Sequence, residues 1–267
     1  MRIRFRFSKL GKVRFTSQRD VARMWERALR RAELPLAYTE GFSPRPQLSF
    51  GLALPTGCES LAEYVDVVLD DTRPETAAVD VAALATRLSG MLPEGVEVHH
   101  ASVVERRATS LQQEVTSCSW TMSFRGLTRS GLEARVDALL AAPVVTITRE
   151  RKGRQEQDDL RPSVLSLAVV DGGSDDDGVV DLVAELATQP RGVRPIELVR
   201  GLIAVAPPEV ADAGERPGDP TGGIPVLDRA CRTKQWIERD GARREPVEPQ
   251  ADRQGAERAV HALERAS

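Results

Sequence analysis

Two periodicities meet in the first thirty residues of this chain, and their succession restricts the fold more than any other feature. In Arg2-Ile3-Arg4-Phe5-Arg6-Phe7 charged and apolar groups alternate, so Ile3, Phe5 and Phe7 share one face of an extended strand and the arginines the other. Gly11 and Lys12 predict a turn, and Val13 to Phe15 a resumption of extended structure. From Gln18 to about Ala32 the spacing becomes helical, with Val21, Met24, Trp25, Ala28, Leu29 and Ala32 on one face. Thr16 or Ser17 supplies an N-cap, and Asp20 suits the positive end of the helix.

Pro35 ends that helix, Leu36 to Thr39 extends, and a loop rich in Gly and Pro follows. Leu48 to Leu54 and Tyr64 to Leu69 read as strands, Val79 to Met91 as a second helix and Val96 to Val104 as a strand. A similar order then returns. Thr116 to Arg125 is strand-like, Gly131 to Ala142 helical, and Val144 to Glu150, Val164 to Val170 and Val179 to Ala187 are strands. Pro195 to Val205 is a helix opened by proline at a permissive position. The expected fold is α+β, two tandem ferredoxin-like halves of βαββαβ type spanning 1–108 and 109–206. The span 207–267, rich in Pro, Gly, Asp and Arg, is expected to be a largely disordered tail in which Val226-Leu227 and Trp236-Ile237 dock locally.

The net charge of −3 conceals an asymmetry: Met1 to Phe50 holds twelve Lys/Arg against four Asp/Glu, a balance of 12 − 4 = +8. Acidic residues gather later, at Asp70-Asp71, Asp158-Asp159 and Asp175-Asp176-Asp177. A chain polarised in this way presents a basic end to an anionic partner. Within the basic end, Arg19, Arg23, Arg27 and Arg30 line one flank of the first helix. Guanidinium forks match phosphate oxygens, and each neutralised phosphate adds salt-dependent affinity. The alternative is a solvated helix face with Arg27 and Arg30 paired to Glu26 or Glu33. In the loop, Gly41 permits unusual backbone angles while Pro44 and Pro46 hold Ser43 and Arg45 extended. Phe42 is a candidate stacking platform for a base, or a core residue or anchor that fixes the loop. Arg45 extends the basic surface.

Catalytic equipment is not legible. Cys58, Cys118 and Cys231 lack metal-site and disulfide-framework spacing, which points to reduced thiols and a cytoplasmic location. His99 and His100 are neighbours in a strand and point to opposite faces, so one metal would not take both. No Gly-rich phosphate loop and no nucleophile elbow occur. Glu59, Glu63 and Asp66 are candidate paired carboxylates or solvated strand-end charges. Lys152-Gly153-Arg154 reads as a turn able to touch a phosphate or carboxylate. No cofactor, metal, signal peptide or membrane span is expected.

Several runs together resemble a known family. They are Arg4-Phe5-Arg6-Phe7-Ser8-Lys9-Leu10-Gly11, Phe15-Thr16-Ser17-Gln18-Arg19-Asp20, Arg27-Ala28-Leu29-Arg30-Arg31-Ala32, Gly41-Phe42-Ser43-Pro44-Arg45-Pro46 and Glu63-Tyr64-Val65-Asp66, with Asp159-Leu160-Arg161-Pro162-Ser163 further on. The combination resembles the radical SAM-linked protein family, a bacterial domain of unknown function whose members accompany, or are fused to, a radical SAM enzyme with a cobalamin-binding-type domain. Many relatives have Ser-His-Leu-Asp where this chain has Ser17-Gln18-Arg19-Asp20, so any role of that histidine is absent here. The resemblance implies a radical SAM enzyme as partner and an accessory task for this chain. The expectation is a non-catalytic protein that presents RNA, either tRNA or rRNA, through Arg19, Arg23, Arg27, Arg30 and Arg45, with Phe42 shaping the loop. Two alternatives stand beside it. One is an RNA-processing enzyme on tandem ferredoxin-like domains, like CRISPR repeat-cleaving endoribonucleases, with a base drawn from His99, His100 or His261. The other is a protein-docking adaptor without RNA binding.

Overall fold

A computed structural model describes residues 1–151, 153–170, 178–206 and 224–247. It is a mixed α+β structure whose registered strand pairs are antiparallel, and it divides into two compact units. The first comprises Met1–Val115 with Lys234–Ser267, the second Thr116–Thr233.

The first unit begins with β1 (Arg2–Lys9), a 3-10 turn (Gly11–Phe15) and α1 (Gln18–Arg31), followed by β2 (Leu48–Phe50) and β3 (Glu59–Val68). Next come a 3-10 turn (Pro74–Ala78), α2 (Val81–Ser89), β4 (Val96–Val104) and the short α3 (Leu111–Glu114). Strand β1 lies between β3 and β4, and β2 pairs with β3. The period-two pattern places Ile3, Phe5 and Phe7 in the core, where Trp25 of α1 packs on both rings at centroid distances of 5.5 and 5.0 Å. Val21, Ala28, Leu29 and Ala32 complete the buried face of α1, and Leu84 and Leu88 of α2 join them. Burying each of these large side chains contributes about 1.5–3 kcal/mol relative to exposure. Val13 to Phe15, expected as extended, instead forms the 3-10 turn. That turn is seated by a hydrogen bond from Leu10 N to Gly95 O of 2.8 Å. Gly95 has φ +86° and approaches Leu10 so closely that a Cβ there would overlap the Leu10 carbonyl.

The second unit contains β5 (Ser117–Arg125), α4 (Arg129–Ala141), β6 (Thr146–Arg151), β7 (Arg154–Asp159), β8 (Val164–Val170), β9 (Val179–Ala187) and α5 (Pro195–Ala204). Its sheet runs β5-β9-β8. Thr128 caps α4 by accepting a hydrogen bond from Gly131 N at 3.2 Å. The strand expected over Val144 to Glu150 does form, but as β6 it pairs with β7 alone in a separate two-stranded hairpin.

Residues 224–247, expected in the tail, carry the longest strand of all. Strand β10 (Val226–Arg239) continues into β11 (Ala242–Arg244), so Val226-Leu227 and Trp236-Ile237 belong to one 14-residue element. Its later residues serve the first unit, where Gln235 Nε2 donates to Ala62 O of β3 at 2.5 Å, and its earlier ones belong to the second. The rest of the expected tail, 207–223 and 248–267, lies outside the described residues.

Candidate functional site

Ser17 caps α1 as its sequence demands, with Oγ accepting from Asp20 N at 3.2 Å. With the apolar face locked onto β1, the opposite flank is left to solvent, and Arg19, Arg23, Arg27 and Arg30 are all exposed along it. Two have acidic neighbours on the same helix: Arg23 lies 3.5 Å from Asp20 and Arg30 lies 3.6 Å from Glu26. The Ser17 hydroxyl, aided by the Arg23 charge, holds the Asp20 carboxyl below the usual carboxylate range. Such pairs in water bind weakly and leave the guanidiniums available to a stronger anion. Arg27 donates Nε to its own helix at Arg23 O, 3.2 Å away.

The loop after α1 is a closed hairpin. Tyr38 bridges Pro46, Thr39 N donates to Arg45 O at 2.8 Å, and Gln47 N donates to Ala37 O at 2.8 Å. Gln47 Nε2 reaches Tyr38 O at 2.9 Å, and Arg45 N reaches the Thr39 hydroxyl at 3.1 Å. Gly41 turns the tip with φ +122°, a conformation L side chains rarely adopt. At that tip Phe42 is 113% exposed, so it is no core residue and anchors nothing; the core and anchor readings are corrected. Arg45 is exposed on the returning arm.

The arginines of β1 are engaged inside the fold. Arg4, 4% exposed, grips Asp66 in a fork, Nε to Oδ1 at 2.7 Å and a terminal nitrogen to Oδ2 at 3.0 Å. Arg2 reaches the same carboxylate and also donates to Ala108 O at 2.8 Å. Arg6 lies 3.4 Å from Glu245, whose carboxyl burial pushes up despite that guanidinium. Glu59 is likewise buried and accepts from Gly11 N at 2.7 Å, with Arg14 3.4 Å away. Asp66 and Glu59 are therefore internal partners of arginine and not solvated strand ends.

His100 sits across from Arg6 while Val98 sits across from Phe7, so β4 slips its register at His99, and the regular alternation expected to put the two histidines on opposite faces is broken there. Burial, and after it the Arg6 guanidinium, lowers the His100 pKa; burial lowers that of His99 too. His261 and Lys152 lie outside the described residues. All three cysteines are buried, and none is in a disulfide. Among the described residues no group of three or more His, Cys, Asp or Glu side chains is placed to hold a metal ion. No helix there is long and apolar enough to cross a membrane. In the second unit, β6, Gln155 and Arg200 line an open groove of about 420 Å³. Arg149 beside it is engaged by Asp158 at 3.2 Å and Glu197 at 3.4 Å.

One exposed ring escaped the sequence reading. Phe15, 63% exposed, ends the first 3-10 turn with the Arg14 guanidinium 4.7 Å from its centroid. A strand assignment hid it, because alternation makes Phe15 a core candidate; Gly11, with φ +66°, was the signal for a tighter turn.

None of the curated proteins matches this chain. A family model described as an uncharacterized protein conserved in bacteria, DUF2344, matches residues 2–195. That span takes in β1, the arginine flank of α1, the Phe42 loop and the second unit as far as the start of α5, and the chain belongs to this family of uncharacterized bacterial proteins.

Proposed function

We propose that this chain is a non-catalytic accessory protein of a radical SAM enzyme with a cobalamin-binding-type domain, and that it holds tRNA or rRNA for modification. The observation that carries the RNA part is the exposed row Arg19, Arg23, Arg27 and Arg30 on a helix whose other side is fixed in the core. Four guanidiniums on a rigid element meet phosphates with little loss of conformational freedom. Arg45, exposed on the closed hairpin that follows α1, adds a fifth guanidinium. The enzyme partner rests on the motif resemblance of the first seventy residues.

The same reading takes each unit as a ferredoxin-like sandwich. The strand order β4-β1-β3-β2 in the first unit supports it, as does β10-β5-β9-β8 in the second, with two helices longer than one turn in each. RNA-recognition motifs of this fold class stack bases on the open face of the sheet. Here that face carries the buried Arg4–Asp66 fork, so the helix flank takes the place of the sheet as the binding surface.

The test is a double reversal, Arg23→Glu with Arg27→Glu, assayed by fluorescence anisotropy on bulk tRNA. Binding weakens, and the salt slope flattens by about one per lost phosphate contact. Unchanged affinity in a folded double variant removes the RNA reading. Co-purification of the enzyme that survives nuclease treatment but is lost in the same variant would assign the arginines to an acidic protein surface instead.

A further inference from the structure

The exposed aromatic rings of the first unit stand at the two ends of the arginine row, and β3 measures the distance between them. Phe15 is tied to the start of β3: Gly11 N donates to Glu59 at 2.7 Å, Arg14 lies 3.4 Å from the same carboxylate, and Gly57 N donates to Arg14 O at 2.8 Å. The Phe42 hairpin is tied to its far end, through the Leu36–Leu69 bridge and the Leu48–Val67 pairing. Ten residues of β3 at about 3.3 Å each separate the two ties by roughly 30 Å. Between them runs α1 with its four arginines.

We propose that this surface takes an unpaired RNA strand, with phosphates along α1 and bases stacked on Phe15 at one end and Phe42 at the other. The inference rests on the RNA reading above and narrows it to single-stranded segments, loops and ends. A duplex offers phosphates to the arginines but keeps its base faces stacked away from any side chain, whereas an unpaired strand offers both. The chemistry of the ends fits. Both rings are exposed far beyond what a core residue shows, Phe15 at 63% and Phe42 at 113%. Arg14 lies over one face of the Phe15 ring at 4.7 Å, so a base stacks on the opposite face of a ring that carries a cation on its far side. Tyr38, 44% exposed at the base of the Phe42 hairpin, adds a third ring on that side.

The test uses the full chain and an unstructured RNA of about twelve nucleotides, within single-strand site sizes, free or annealed to its complement. The free strand binds at least about tenfold more tightly than the duplex, because only it can use the rings. Phe15→Ala and Phe42→Ala each weaken free-strand binding by about 5- to 150-fold, the usual range for one stacked base. Neither changes duplex binding, and Phe15→Trp keeps free-strand affinity. Far-ultraviolet circular dichroism verifies that each variant is folded. Equal binding of both RNA forms, with Phe15→Ala and Phe42→Ala like the unaltered chain, overturns this inference and leaves the RNA reading intact. If neither RNA form binds, the RNA reading itself falls.

Discussion

Twelve lysines and arginines occupy the first fifty residues, and seven of them fall into two populations with opposite surroundings. Arg2, Arg4 and Arg6 on β1 lie against carboxylates, with Asp66 held by two guanidiniums and Glu245 beside the third. Arg19, Arg23, Arg27 and Arg30 on α1 stand in solvent, two of them beside weak partners one turn away. Both sets come from regular spacing. The period of two puts the β1 arginines on the second face of the sheet, beside buried carboxylates; the helical period puts the α1 set on a flank exposed among the described residues. Local charge of +8 therefore overstates the basic surface, of which the α1 row is a part.

Removing the shared carboxylate gives the largest effect. Asp66→Ala leaves Arg2 and Arg4 facing each other without a counter-charge, and should cost about 3–5 kcal/mol in urea unfolding. An Asp66→Ala protein as stable as the parent would show that the β1 pairs are not structural. On the other side of the comparison, Arg27→Ala should move stability by no more than about 0.5 kcal/mol, as at other exposed positions. It should lower the salt slope of RNA binding by about one. If Arg27→Ala destabilised the fold while Arg4→Ala weakened RNA binding, the two populations would be reversed.

The smallest effect concerns pH, at the point where β1 meets β4. The His100 pKa is lowered from 6.5, first by burial and then by Arg6, so the folded state prefers the neutral ring. Its contribution to stability is fully present above about pH 6.5 and is lost as pH falls toward its folded pKa. Glu245 has the opposite sign. Its pKa is raised from 4.5, so its contribution is present below that value and is lost as pH rises. His100→Gln should therefore flatten the decline in urea midpoint between pH 7 and 5; an unaltered slope would place the titrating group elsewhere.

Much of the fold was legible because its signals are local. Val96–Val104, Val164–Val170 and Val179–Ala187 begin and end where their β-branched runs do, and α1 starts at the cap that Ser17 and Asp20 announce. What was hidden depends on distant partners. Strand β10 is rich in charge, with Asp228, Arg229, Arg232, Lys234 and Glu238, and its flanks read as linker; only β3 and β5 as neighbours make it a strand. In the candidate site, the α1 row followed from helical spacing alone. The burial of Arg4 required knowledge that Asp66 stands directly across from it, sixty-two residues away. The exposure of Phe42 and Phe15 turned on loop geometry, which residue type does not encode.

The central claim is that the α1 row and Arg45 meet RNA phosphates, and titration of the full chain with bulk tRNA at 50 and 200 mM salt tests it most directly. Five arginine contacts to an unpaired strand predict about a hundredfold loss of affinity across that range. No binding at 50 mM, or an affinity that salt leaves unchanged, would contradict it.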